Sequence, residues 1–158
     1  MPDDLDRLQT RLGYSFNDPS LLEWALTHRS AHRSRNNERL EFLGDAYLGQ
    51  VIAARLFEAF PAASEGQLTR MRARLVRGHT LAEIARELEL GPYLVLGGGE
   101  LKSGGHRRDS ILADALEAII GAIVLDAGSS ACEEAVGRWF ARRLNEISPE
   151  AVDKDAKT

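Results

Sequence analysis

The sequence predicts an all-α protein. Apolar residues recur at three- and four-residue spacing along most of the chain. Helix-start signals stand ahead of those runs, and no stretch of useful length alternates apolar with polar residues. Asp18-Pro19 supplies an N-cap and a proline at the first helical position, with Leu21, Leu22, Ala25 and Leu26 as the apolar face. A longer helix is expected over 37–60, stopped by Pro61. Ser64-Glu65-Gly66-Gln67 has capping-box form ahead of Leu68, Met71 and Leu75. Leu81, Ile84, Ala85 and Leu88 carry the helical period on to Gly91-Pro92, after which the glycine-rich stretch to Asp109 reads as a loop. A strongly apolar helix over 111–125 follows. Ser130-Ala131-Cys132-Glu133 reads as a second capping box, opening a helix through Val136, Trp139, Phe140 and Leu144. The polar tail over 148–158 reads as having no partner within the chain.

At 158 residues the chain fits one domain with a sizeable core, and its 44% hydrophobic content is ordinary for a globular protein. No apolar run approaches the roughly 20 residues needed to span a bilayer, so no membrane partner is expected. The first residues are acidic and lack the pattern of a signal peptide. A single cysteine, Cys132, fits a reducing compartment, and a cytoplasmic location is expected. The net charge of −4 argues at first against a nucleic-acid partner. The basic residues are clustered, however: Arg29, Arg33 and Arg35; Arg70, Arg72, Arg74 and Arg77; and Lys102, His106, Arg107 and Arg108. An acidic metal site flanked by basic patches suits phosphodiester chemistry.

Two segments place acids where helix cores belong. Over 111–125 nearly every residue is Ile, Leu, Val, Ala or Gly except Asp114 and Glu117, which share a face at i,i+3 with Gly121 one turn on. Buried carboxylates need a partner, because losing hydration costs several kcal/mol or more. On the helix over 37–60, Glu38, Glu41 and Asp45 fall within roughly 60° of one another, opposite Leu40, Leu43, Tyr47 and Val51. Read alone, that face is either solvated or held by a cation. Set beside Asp114 and Glu117, it completes an all-oxygen site suited to Mg²⁺, with Mn²⁺ as a substitute. Phe42 lies at the edge of the acidic face, and periodicity leaves it equally open to packing within the chain or against a second subunit.

Asn37-Glu38-Arg39-Leu40-Glu41-Phe42-Leu43-Gly44-Asp45 resembles the signature of bacterial ribonuclease III. Leu12-Gly13-Tyr14-Ser15-Phe16 and Ala25-Leu26-Thr27-His28-Arg29-Ser30 match the family's N-terminal pattern. Gly99-Glu100-Leu101-Lys102-Ser103-Gly104-Gly105 and Ile111-Leu112-Ala113-Asp114-Ala115-Leu116-Glu117-Ala118 match its later blocks. The resemblance covers essentially the whole chain, in order.

It implies that Glu41, Asp114 and Glu117 are Mg²⁺ ligands, with Asp45 and Glu117 catalytic, Asp45 helping to organise the attacking water. Glu38 and Glu65 are implied as auxiliary acids, Glu65 approaching the partner subunit's site, and Phe42 as the aromatic that enters a cavity of the second subunit of a homodimer. The expected reaction is endonucleolytic cleavage of double-stranded RNA to 5′-phosphate and 3′-hydroxyl ends, staggered because two sites face opposite strands, in rRNA and mRNA processing. Lys102, Ser103, Arg107 and Arg108 are candidate RNA contacts in the glycine-rich loop. Residues 1–148 are expected to form the catalytic domain, and 149–158 a linker and the start of a double-stranded-RNA-binding domain. The alternatives are an all-α Mg²⁺-dependent nucleoside-triphosphate pyrophosphohydrolase and a non-cleaving double-stranded-RNA-binding relative.

Overall fold

The computed structural model describes residues 2–156, with side chains from Leu5 to Asp155. Among the described residues ten α-helices follow one another: α1 (Pro2–Leu12), α2 (Pro19–Ala25), α3 (Glu38–Ala59), α4 (Glu65–Val76), α5 (Gly78–Glu87), α6 (Gly98–Lys102), α7 (Asp109–Ala127), α8 (Ser129–Trp139), α9 (Ala141–Glu146) and α10 (Pro149–Ala156). Among the described residues no strand forms; the one extended contact is an isolated parallel bridge between Thr27 and Val95.

The centre of the molecule is α7, with α2, α3, α5 and α8 packed round it. Its composition requires this place, since a helix apolar on all sides is stable only when surrounded. Leu112, Leu116, Ile119, Ile120 and Ile123 are buried. Against it α3 sets Leu40, Leu48, Ile52 and Leu56.

Where α3 and α7 cross, two glycines face each other. A Cβ added at Gly44 would lie 1.7 Å from the Glu117 carbonyl oxygen, and one at Gly121 would lie 2.3 Å from that of Leu40. Backbone therefore touches backbone, which only residues without a side chain permit.

The expected caps form at two helices. The Asp18 side chain accepts from the Ser20 amide ahead of Pro19, and Ser64 and Gln67 make both halves of a capping box. The third expectation fails. Ahead of α8 the chain turns at Gly128 (φ 91°), the helix starts at Ser129, and no side chain caps it. The helix also breaks at Phe140, which is fully buried, and restarts as α9. The glycine-rich stretch is not a plain loop either: α6 and two 3₁₀ turns, Gly91–Tyr93 and Gly105–Arg107, give it fixed structure.

The tail is the larger correction. It folds as α10 and packs on α4, with Val152 only 2% exposed. Asp153 accepts from Gln67 Nε2 (2.6 Å) and from Arg70 Nη2 (2.5 Å), and Asp155 pairs with Arg74. Arg70 and Arg74 thus face the tail. Polar composition hid this contact, since one buried valine with three ionic or amide partners is enough to seat so short a helix. Residues 157–158 lie outside the described residues.

Candidate metal centre

The glycine crossing decides which carboxylates meet. It sets the acidic face of α3 one turn from Asp114 and Glu117 on α7. One carboxylate oxygen from each of Glu41, Asp114 and Glu117 lies within 4.8 Å of the other two. The side chains associate in cross-helix pairs, Glu41 with Asp114 and Asp45 with Glu117. Asp45, the most exposed of the four, stands at the rim.

Burial and crowding raise the proton affinity of Glu41, Asp114 and Glu117. Burial, then the charge of Asp114, lifts the Glu41 carboxyl to about 7. Burial, then the hydrogen bond and charge of Asp45, lifts Glu117 to about 9. Asp114 is also raised by burial, offset by its bond from Glu41 and by the charges of His28 and Arg29. Carboxyls that hold protons for want of a counter-charge suit a divalent cation, and an all-oxygen donor set suits a hard one.

A groove of about 360 Å³ opens over this cluster. Glu38, Arg29, His28, Glu100 and Arg108 line it together with Glu41 and Asp114. Arg29 Nη1 lies 3.7 Å from Glu38. Arg108, immediately before α7, donates from Nη1 to Glu100 Oε2 at 2.6 Å. Glu100 reaches that position because Gly105 leaves room: a Cβ there would lie 2.7 Å from Glu100 Cγ.

The Ribonuclease-III-like family description matches residues 18–144, most of the chain. The chain belongs to the ribonuclease III family. It is 71% identical to Ribonuclease 3 of Alcanivorax borkumensis over all 158 residues, spanning 69% of that protein. It is 58% identical to Ribonuclease 3 of Pseudomonas aeruginosa, again over its whole length and 69% of the relative. Among solved structures, a nuclease domain of Campylobacter jejuni ribonuclease III, described for flexibility in its dimer-forming region, superposes with a TM-score of 0.86 at 45% identity. That match covers 87% of this chain and 96% of the other. Dicer of Pichia stipitis matches with a TM-score of 0.63 at 30% identity, over 82% of this chain and 57% of its own. The protein is thus an endoribonuclease of the ribonuclease III type, a metal-dependent family.

Within this ribonuclease III fold the remaining residues divide. Glu38 and Arg108 border the groove. Lys102, at the end of α6, and Ser103 and Arg107, on the α6–α7 connection, are exposed and do not line it. Glu65 opens α4 beside a separate hollow of about 270 Å³ with Phe57 and Leu68, which shares no residue with the groove. Phe42 is 80% exposed, at the edge of a shallow hollow with Leu40, Leu43 and Leu125. Glu100 and His28 were missed as lining residues. Glu100 sits inside a family-like block, but only the folded α6 turn shows where it points.

Proposed function

We propose that this chain is the Mg²⁺-dependent nuclease unit of a homodimeric endoribonuclease that cuts double-stranded RNA. The observation that carries this reading is the convergence of Glu41, Asp114 and Glu117 oxygens within 4.8 Å under a groove edged by Arg29 and Arg108. These three residues would hold the ion, with Mn²⁺ able to replace Mg²⁺. When bound, the ion supplies Lewis acidity for water attack on a phosphodiester and neutralises charge there. The protein's own part is orientation. Asp45 fixes the Glu117 carboxyl through their hydrogen bond and, at the rim, is placed to accept a proton from water. Glu38 steers Arg29, and Glu100 holds Arg108, so that both guanidinium groups face an incoming phosphate. Products would carry 5′-phosphate and 3′-hydroxyl ends. RNA would be selected over DNA by A-form shape and 2′-hydroxyl contacts.

The dimer follows from α3. Phe42 and Phe57 are 80% and 72% exposed and stand on one side of the helix with Ala46, Gly49 and Ala53 between them. About a centre between Gly49 and Gln50, Phe42 mirrors Phe57 and Ala46 mirrors Ala53. Two copies of α3 crossing antiparallel about that centre set each Phe42, roughly 22 Å from Phe57 along the helix, into the partner's hollow of Phe57, Leu68 and Glu65. Glu65 of each copy is thereby brought toward the other's acidic face. Two such sites on opposite strands give a staggered cut. A cytoplasmic role in rRNA and mRNA processing suits a single buried, unpaired Cys132, and no described helix is long and apolar enough to cross a membrane. The proposed catalytic unit is residues 1–148, with α10 (Pro149–Ala156) docked on its α4.

Glu117→Gln tests the reading. Cleavage of duplex RNA in Mg²⁺ should collapse by orders of magnitude, while melting temperature and dimer mass persist. Retained cleavage, or pyrophosphate release from free nucleoside triphosphates by the wild type, would overturn it.

A further inference from the structure

Beyond the metal groove, the connection between α2 and α3 carries a second charged feature. Residues 27–37 hold three arginines and two histidines and no acid, in a chain whose net charge is −4. Free solvated loops do not need fixed backbones, yet this one is tied at many points. The buried Asn36 donates from Nδ2 to the carbonyls of His32 and Arg33, both at 3.1 Å. Asn37, also buried, donates to the Ala25 carbonyl at 2.9 Å, and Trp24 Nε1 donates to that of Asn36 at 2.6 Å. Arg35 N donates to His32 Nδ1 at 2.9 Å, and Gly97 N donates to Ser30 Oγ at 2.9 Å.

What this scaffold presents is cationic. The Arg35 guanidinium stacks 4.8 Å over the Trp24 ring, which limits its rotamers while its donors stay free. Among the described residues neither Arg33 nor Arg35 pairs with a carboxylate, and both are exposed. They line a trough of about 410 Å³ with Trp24, Asn36, Glu38 and Arg39. Glu38 also lines the metal groove, so the two depressions meet at that residue. Arg29 stands at the junction.

We infer that the α2–α3 loop is a phosphate-binding track, in which Arg33 and Arg35 each take a backbone phosphate of the duplex RNA as it leaves the metal groove. The inference rests on the function proposed above. Contacts of this kind read no sequence. They fix the register of the duplex against the carboxylates and make binding steeply salt-dependent, each neutralised phosphate adding roughly 0.7–0.9 to the slope of log K against log salt.

The test uses the whole chain with Glu117→Gln to prevent cleavage, duplex RNA and Mg²⁺. The added pair Arg33→Gln/Arg35→Gln should lower the salt slope by about 1.4–1.8 and weaken binding on the order of tenfold at about 0.1 M salt. In the otherwise wild-type chain the same pair should raise KM by more than it lowers kcat. Arg33→Gln alone, at an exposed side chain, should lose about half the slope change and guards against a folding defect in the pair. An unchanged slope in both variants, with normal binding by the parent, would overturn the track and leave the proposed function standing. Failure of the parent to bind duplex RNA at all would overturn the function and the track together.

Discussion

Glu117 and Glu41 keep their protons at pH values where an unfolded chain has lost them, and this links metal to stability. Both carboxyls are raised by folding, to about 9 and about 7. A raised folded-state value gives stability that is full below the unfolded value, roughly pH 4.3, and is lost as pH climbs through the folded values. The metal-free protein should therefore melt progressively lower between about pH 5 and about pH 9. The groups shifted the other way, Glu87, Asp109 and Asp126, lose their contribution only in acid below that window. Added Mg²⁺ should flatten the decline, because it binds the folded form alone. Melting curves at about pH 6 and about pH 8.5, in chelator and in millimolar Mg²⁺, check this; a metal-free melting temperature indifferent to pH would contradict it. The four acids were legible in sequence because each interrupts an apolar or patterned helix. Glu100 was not, since its meaning lies in a fold-dependent bond to Arg108.

At the scale of elements, the α3–α7 crossing carries the site. Gly44→Ala would drive a methyl group into the Glu117 carbonyl at 1.7 Å. The gain in helix propensity, about 1 kcal/mol, is smaller than the cost of overpacking, about 1–3 kcal/mol or more. Net destabilisation is expected by thermal melting, with a smaller stabilisation by Mg²⁺ than in wild type. At the other end of the chain, Val152→Ala removes two buried methyl groups beneath α10 and should cost about 1–2 kcal/mol. No loss would mean that α10 leaves α4 in solution. Helix periods announced α3 and α7 clearly. They could not announce α10, whose docking depends on Gln67, Arg70 and Arg74 eighty residues away in sequence. Nor could they place the break at Phe140, which only the surrounding core imposes.

The whole molecule is one half of its proposed working unit. Phe42→Ala should shift the protein toward monomer in sedimentation and reduce duplex cleavage sharply, while each chain keeps its metal-dependent melting behaviour. A dimer of unchanged stability would show that α3 does not form the interface. Periodicity left Phe42 ambiguous because a helix edge looks alike whether covered by its own chain or by another. Its exposure in the folded chain, matched by that of Phe57, makes the second copy the natural cover.

The contact of Gly44 with Gly121 also fixes the bore of the carboxylate cage. Mg²⁺ holds oxygens at about 2.0–2.1 Å and Ca²⁺ at about 2.3–2.6 Å, so a few tenths of an ångström between two helix axes separate a tight fit from a loose one. Gly121→Ala, with its methyl 2.3 Å from the Leu40 carbonyl where ordinary contact is 3.4–4 Å, would spread the helices by more than that margin. Discrimination by ionic radius, a property usually ascribed to the ligands, would in this protein reside in two residues that touch no ion.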